Sequence, residues 1–146
     1  MRRFLAALLI LLGAESAALA CSCMRTPSDP AQRVAMAREV VAGAVALVEV
    51  ELAAPYQGPG RGERLRVRRT LAGRAPAAFT VERNRAPSSA ACDVEFNRRM
   101  LILLYPPRGA ANARTPVYRV SASCTTYMLV DPAFRAELLR LWGRRP

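Results

Sequence analysis

The placement of four cysteines is the feature that most constrains the fold of this chain. Cys21 and Cys23 are separated by one residue, whereas Cys92 and Cys124 lie far along the sequence. A bridge within the first pair would strain disulfide geometry, because only one residue separates its members. In an oxidising compartment we therefore expect each of them to be tied to one of the distant pair. A closed loop of about 70 residues would contribute roughly 4 kcal/mol in the chain-entropy model.

The residues before Cys21 have the three parts of a secretory signal peptide. Residues 1–3 are basic, residues 4–12 are apolar but too short to span a bilayer, and residues 18–20 form an Ala-x-Ala triplet. This layout predicts cleavage after residue 20 and export of the remainder to the periplasm or beyond the cell.

The predicted cleavage divides the chain into a signal peptide, residues 1–20, and one domain, residues 21–146. The alternative is lipid attachment at Cys21, which ranks second because Ala18 stands where that signal prefers a larger aliphatic residue. No later apolar segment is long enough to span a membrane, so we predict no transmembrane segment after cleavage.

The charge of the chain is strongly positive. It has 22 basic residues, all arginine, against 11 acidic ones, for a net charge of +11. Such a charge favours anionic partners. For an exported protein the available anionic partners are the polymers and lipids of the cell envelope. We predict no nucleic-acid partner, because the sequence lacks the aromatic interleaving that single-strand binders use.

The chain contains no histidine. This excludes Ser-His and Cys-His nucleophiles and removes the commonest zinc ligand. The cysteine spacing also differs from the paired C-x₂₋₄-C of structural zinc sites. We therefore predict a non-enzymatic protein with no cofactor and no metal of its own. An enzyme would have to use carboxylates, of which Asp93 and Glu95 could share a strand face; the candidates are Glu49, Glu51, Glu63, Glu82, Asp93 and Glu95.

Hydrophobic periodicity predicts five strands between two helices. Asp29 and Pro30 are typical of a helix start, with the helix ending near residue 38, and Asp131 begins a second helix that Gly143 ends. Strands are predicted over 40–52 with a bulge at Gly43, then over 63–71, 79–82, 100–105 and 117–122. These elements favour a mainly β fold, a five-stranded OB-fold Greek-key barrel with an N-terminal and a C-terminal helix.

Several of these features occur together in a known family. The features shared with that family are the mature start Cys21-Ser22-Cys23, the Leu71-Ala72-Gly73 turn, Cys92 followed by Phe96, the apolar strand 101–105 and the Ser-Cys-Thr element at 123–125. In these the chain resembles the netrin-like module, and in particular the inhibitory domain of the tissue inhibitors of metalloproteinases. It is most similar to the short bacterial exported relatives of that domain.

The resemblance implies an OB-fold barrel with disulfides Cys21–Cys92 and Cys23–Cys124. It further implies inhibition of a zinc metalloprotease by a monomer. The free amine and carbonyl of Cys21 would chelate the zinc of the protease in place of its water, and Ser22 would point into the adjacent specificity pocket. The alternative is a non-catalytic cell-envelope scaffold module whose arginine-rich faces bind anionic polymer.

Overall fold

The computed structural model describes residues 23, 26–59, 62–83, 87, 93–107 and 116–144. Within them a closed barrel of five strands has one helix before it and two helices after it, which confirms the predicted mainly β class. The elements in chain order are α1 Pro30–Val41, β1 Ala46–Ala54, β2 Arg64–Gly73, β3 Ala78–Val81, β4 Met100–Tyr105, β5 Val117–Val120, α2 Ser123–Met128 and α3 Pro132–Trp142.

The strands are joined around the barrel in the order β1-β2-β3-β5-β4, and β4 closes on β1. The β3–β5 pair is parallel, and the other four pairs are antiparallel. The nine residues of β1 let it pair with β2 along one side and β4 along the other. Each described strand thus has a neighbour on both sides, which reduces the exposed strand edges that otherwise favour aggregation.

The interior of the barrel holds the main hydrophobic core. Alternate residues of each strand point inward, as the twofold side-chain period of a strand requires. On β2, Leu65 is fully buried while its neighbours Arg64 and Arg66 are exposed. The buried residues of this core are Ala46, Val48, Val50, Leu65, Phe79, Val81, Val94, Phe96, Ile102 and Leu104.

A second core lies between the barrel wall and the helices. Leu47 of β1 and Leu103 of β4 point outward, where Phe134 and Leu138 of α3 and Ala37 of α1 cover them. Strand β4 is therefore buried on both faces, which explains its uninterrupted apolar sequence. Leu139 of α3 is 36% exposed and is not part of this second core.

The start of β1 differs from the prediction. Val41, assigned from sequence to the first strand, is the last residue of α1, and its side chain is buried in the second core. Gly43 is not a bulge within a strand but a turn residue with φ of 72° between α1 and β1. The β-branched pair at 40–41 favoured a strand locally, and packing against the barrel overrides that preference.

The short helix α2 was not predicted. The fifth strand ends at Val120 rather than at residue 122, and Ser123 begins the helix that contains Cys124. Its sequence, SCTTYM, has low helix propensity, and no side chain caps its first turn. Tertiary contacts therefore hold this helix in place.

Candidate functional site at the anchored N-terminal segment

A disulfide joins Cys23 to Cys124, the second residue of α2, with the Cα atoms 4.9 Å apart. This is one of the two bridges that the resemblance implies. Cys21, Ser22 and Cys92 lie outside the described residues, so the second bridge and the zinc-binding role stay predictions. The observed bridge ties the predicted start of the mature domain to the region that follows β5.

Buried hydroxyl groups hold α2 against the barrel. The Oγ of Ser121 accepts a hydrogen bond from the backbone N–H of Leu103 on β4 at 3.2 Å. The same hydroxyl lies 3.0 Å from the Oγ1 of Thr126 on α2. Ser121 and Thr126 are almost fully buried, so these hydrogen bonds are shielded from water. Cys124 is therefore fixed relative to β4.

The segment after Cys23 is held by helix α1. The guanidinium of Arg33 on α1 donates hydrogen bonds to the backbone carbonyls of Pro27 and Ser28, at 3.2 and 3.0 Å. The N-terminal segment is thus fixed at the bridge and again within the next few residues.

An open groove of about 1300 Å³ is lined in part by Ser123, the residue before the bridged Cys124. Its lining includes Asp93, Val94 and Glu95, which lie in the connection before β4, and Ser123 of α2. Two of its lining residues are large, apolar and unusually exposed: Tyr127 at 74% and Val130 at 70%. The remaining lining residues are Glu49, Asn97, Arg98, Arg99, Met100, Leu101, Thr126 and Arg135.

The carboxylates considered for an enzyme are mostly paired with arginines. Glu51 of β1 lies 3.1 Å from Arg68 and 3.5 Å from Arg66, both on β2. Asp93 and Glu95 both line the groove, but they lie outside any strand, so their expected placement on a strand face was wrong. In the described part of the chain no group of three His, Cys, Asp or Glu side chains is arranged to hold a metal ion.

A buried ion pair at one end of the barrel was not predicted. Glu63, which directly precedes β2, is only 4% exposed, and its Oε2 lies 2.8 Å from the Nε of Arg83. The alternating pattern of the strand indicates that Glu63 is buried, because residue 63 falls on the same face as Leu65 and Val67. Arg83 itself, in a loop after β3, has no such pattern around it.

The outer face of β2 carries the exposed arginines. The side chains of Arg66 and Arg69 are 60% and 68% exposed, and each lies within 4 Å of a glutamate on β1. Helices cover the outer face of β1 and β4 but leave most of this part of β2 open. The basic surface consists of Arg64, Arg66, Arg68 and Arg69.

The described helices are all too short or too polar to cross a bilayer. An intramolecular disulfide is typical of proteins outside the reducing cytoplasm. Comparison with family models, with curated proteins and with solved structures finds no match to this chain.

Proposed function

We propose that this chain is an exported OB-fold protein that inhibits a zinc metalloprotease through its N-terminal Cys21. The observation that carries the proposal is the Cys23–Cys124 disulfide, because it anchors the chain two residues after the predicted mature start. Ser123, the neighbour of Cys124 in sequence, lines an open groove. The strand order β1-β2-β3-β5-β4 with a parallel β3–β5 pair supports the OB-fold assignment.

The mechanism depends on the reach of a short peptide. Two residues span about 7 Å at most, so the α-amine of Cys21 stays near the bridge whatever conformation the residues adopt. An amine and the carbonyl of the same residue form a five-membered chelate ring around a metal ion. On binding they would replace the water that a protease zinc activates for hydrolysis.

Anchoring makes this short terminus effective. A free peptide end would have to be ordered on binding, and that entropy cost subtracts from affinity. Here the bridge to α2 and the hydrogen bonds from Arg33 to Pro27 and Ser28 hold the adjacent chain before any partner arrives. Ser22, the residue between the two cysteines, is proposed to enter the specificity pocket of the protease.

The first test is the intact mass of the exported protein, with and without reductant. The proposal requires an unmodified Cys21 at the start and a mass increase on reduction that corresponds to two disulfides. Acyl chains on Cys21, or another start, would exclude chelation by its amine.

The second test is inhibition of a panel of zinc endopeptidases, thermolysin among them. The matched control variant carries one extra alanine before Cys21, which displaces the amine and leaves both cysteines in place. Loss of an outer-shell contact already costs 10–100-fold in metal affinity, so losing the chelate should weaken inhibition by more than about 100-fold. Equal inhibition by both proteins would exclude the chelation mechanism.

The basic outer face of β2 favours a second candidate function, an envelope scaffold module that binds anionic polymer. Its arginines are exposed, and the helices leave them open. Binding through these exposed charges should weaken steeply as salt rises, whereas chelation of a buried zinc should not. Binding to an anionic polysaccharide that persists unchanged in high salt would contradict this function.

A further inference from the structure

The buried guanidinium of Arg83 connects three parts of the chain at one end of the barrel. Its side chain is 9% exposed, and its Nε donates to the Oε2 of Glu63 at 2.8 Å. Glu63 directly precedes β2, and Arg83 is the second residue after β3. The ion pair therefore joins the ends of two adjacent strands.

The other nitrogens of Arg83 contact the connection between β3 and β4. Its Nη1 lies 3.3 Å from the Oδ1 of Asp93, and its Nη2 donates to the carbonyl oxygen of Val94. The guanidinium carbon is 5.8 Å from the centre of the Phe96 ring, within the range of a cation–π contact. A single side chain thus holds residues 93–96 against the barrel.

This arrangement is poorly suited to stability alone. Two carboxylates share one guanidinium, and the Oε1 of Glu63 is buried without a hydrogen-bond partner among the described residues. Apolar side chains of similar volume often stabilise such a place as well or better than a buried ion pair. The geometric specificity of a multidentate arginine is a better explanation for its presence.

The segment that Arg83 holds forms part of the candidate site. Asp93, Val94 and Glu95 line the groove that Tyr127 of α2 also lines. Val94 and Phe96 are buried in the barrel core, so they also fix the position of the exposed Glu95 between them. Asp93 directly follows Cys92, which the proposed pairing links to Cys21.

We infer that Arg83 is a positioning residue, which fixes residues 93–96, of which 93–95 line the groove. This inference rests on the proposed function for its consequence but not for its geometry. Without Arg83, the segment would have to be ordered on binding, which lowers affinity without removing the zinc-binding atoms.

The test compares Arg83→Gln with the wild type by amide hydrogen exchange and by protease inhibition. The amides of residues 93–97 should exchange about tenfold faster or more, while those of β1 and β4 keep their protection. The inhibition constant should rise by about tenfold, and Arg83→Lys should recover part of both effects because it keeps the charge but not the fork of donors.

Arg119→Gln is the matched control. Arg119 also donates to a backbone carbonyl, that of Pro106 at 2.9 Å, and its guanidinium also lies 5.8 Å from an aromatic ring, that of Tyr105. It contacts the C-terminal end of β4. This variant should leave the exchange of residues 93–97 and the inhibition constant unchanged.

The outcomes separate this inference from the proposed function. Unchanged exchange at 93–97, or faster exchange spread evenly over the barrel strands, would overturn the positioning role. Faster exchange at residues 93–97 with an unchanged inhibition constant would show that the positioning by Arg83 does not affect inhibition. The proposed function would then still stand. If the wild type inhibits no protease, the proposed function fails and the exchange result still decides whether Arg83 fixes the segment.

A second variant covers the case in which Arg83→Gln fails to fold. Asp93→Asn keeps the buried Glu63–Arg83 pair and removes the charge that ties Arg83 to residue 93. Exchange at 93–97 should accelerate by a smaller factor, with the barrel strands again unaffected. Unaltered exchange at 93–97 in this variant would count against the inference.

Discussion

Gly73, at the end of β2, meets two separate constraints. Its φ of 74° lies in the left-handed region, which residues with a Cβ rarely adopt. A Cβ there would also lie 2.1 Å from the carbonyl oxygen of Val45 and 2.9 Å from Cζ2 of Trp142. The backbone of β1 and the end of α3 thus approach β2 at this residue, and only glycine allows that approach.

We predict that Gly73→Ala lowers the free energy of unfolding by about 2–4 kcal/mol, because conformational strain and overpacking add. Urea denaturation measures the change. Gly43→Ala is the control, since Gly43 has nearly the same φ, 72°, but no atom within 4 Å of the added Cβ. That variant should lose only about 1 kcal/mol. Equal losses would show that the close approach at Gly73 does not matter.

At the scale of elements, both long helices begin in the same way. Asp29 and Asp131 each accept hydrogen bonds from two backbone N–H groups of the first turn, and a proline follows each of them. Such caps satisfy donors that the helix itself leaves unpaired. The N–H groups of Ala133 and Phe134, in that order, lower the pKa of Asp131 below its ordinary value of 3.8.

This lowered pKa predicts a pH dependence for the docking of α3. A carboxyl group with a depressed folded pKa stabilises the protein above its unfolded pKa, and the effect is lost as pH falls through the folded value. Asp131→Ala should therefore reduce the free energy of unfolding by a constant amount at pH 5–7 and by progressively less below pH 3.8. Chemical denaturation across this pH range measures the difference.

Asp131→Asn is the control for the cap itself, because asparagine keeps an acceptor oxygen but has no proton to gain. The difference between the asparagine and alanine variants should not change with pH. A wild-type advantage over alanine that persists undiminished at pH 2 would contradict the assigned role of the carboxylate.

At the scale of the whole molecule, the barrel is stabilised from inside and outside. The main core inside the barrel and the second core under the helices both contain residues of β1 and β4. Those two strands therefore connect the barrel interior to the helices. The Cys23–Cys124 bridge then closes a loop that contains α1 and all five strands, with a sequence separation of 101. Its effect on stability is therefore global.

We predict that replacing Cys23 and Cys124 together by serine lowers the free energy of unfolding by about 2–5 kcal/mol, since the unfolded chain gains the entropy of a long open loop. Equilibrium unfolding of the oxidised proteins measures it. The double replacement avoids leaving an unpaired thiol. A loss below about 1 kcal/mol would contradict this prediction and would show that the hydrogen bonds of Arg33 already hold the N-terminal segment.

The sequence by itself determined the local features of this protein. Period-two alternation located β2, the uninterrupted apolar run located β4, and the Asp-Pro pairs located the starts of α1 and α3. These signals depend on neighbours within one turn or one strand, so they can be read without the fold. Cysteine spacing likewise restricted the partners of Cys23 to two.

Only the tertiary structure decided the features that join distant residues. Val41 is helical because its side chain is buried in the second core. Helix α2 forms because Ser121 and Thr126 hold it against β4. Arg83 acquired its partners when β2, β3 and the segment before β4 met at one end of the barrel. Each of these depends on contacts between residues far apart in sequence, whose free energy exceeds local preference, and no local pattern records such contacts.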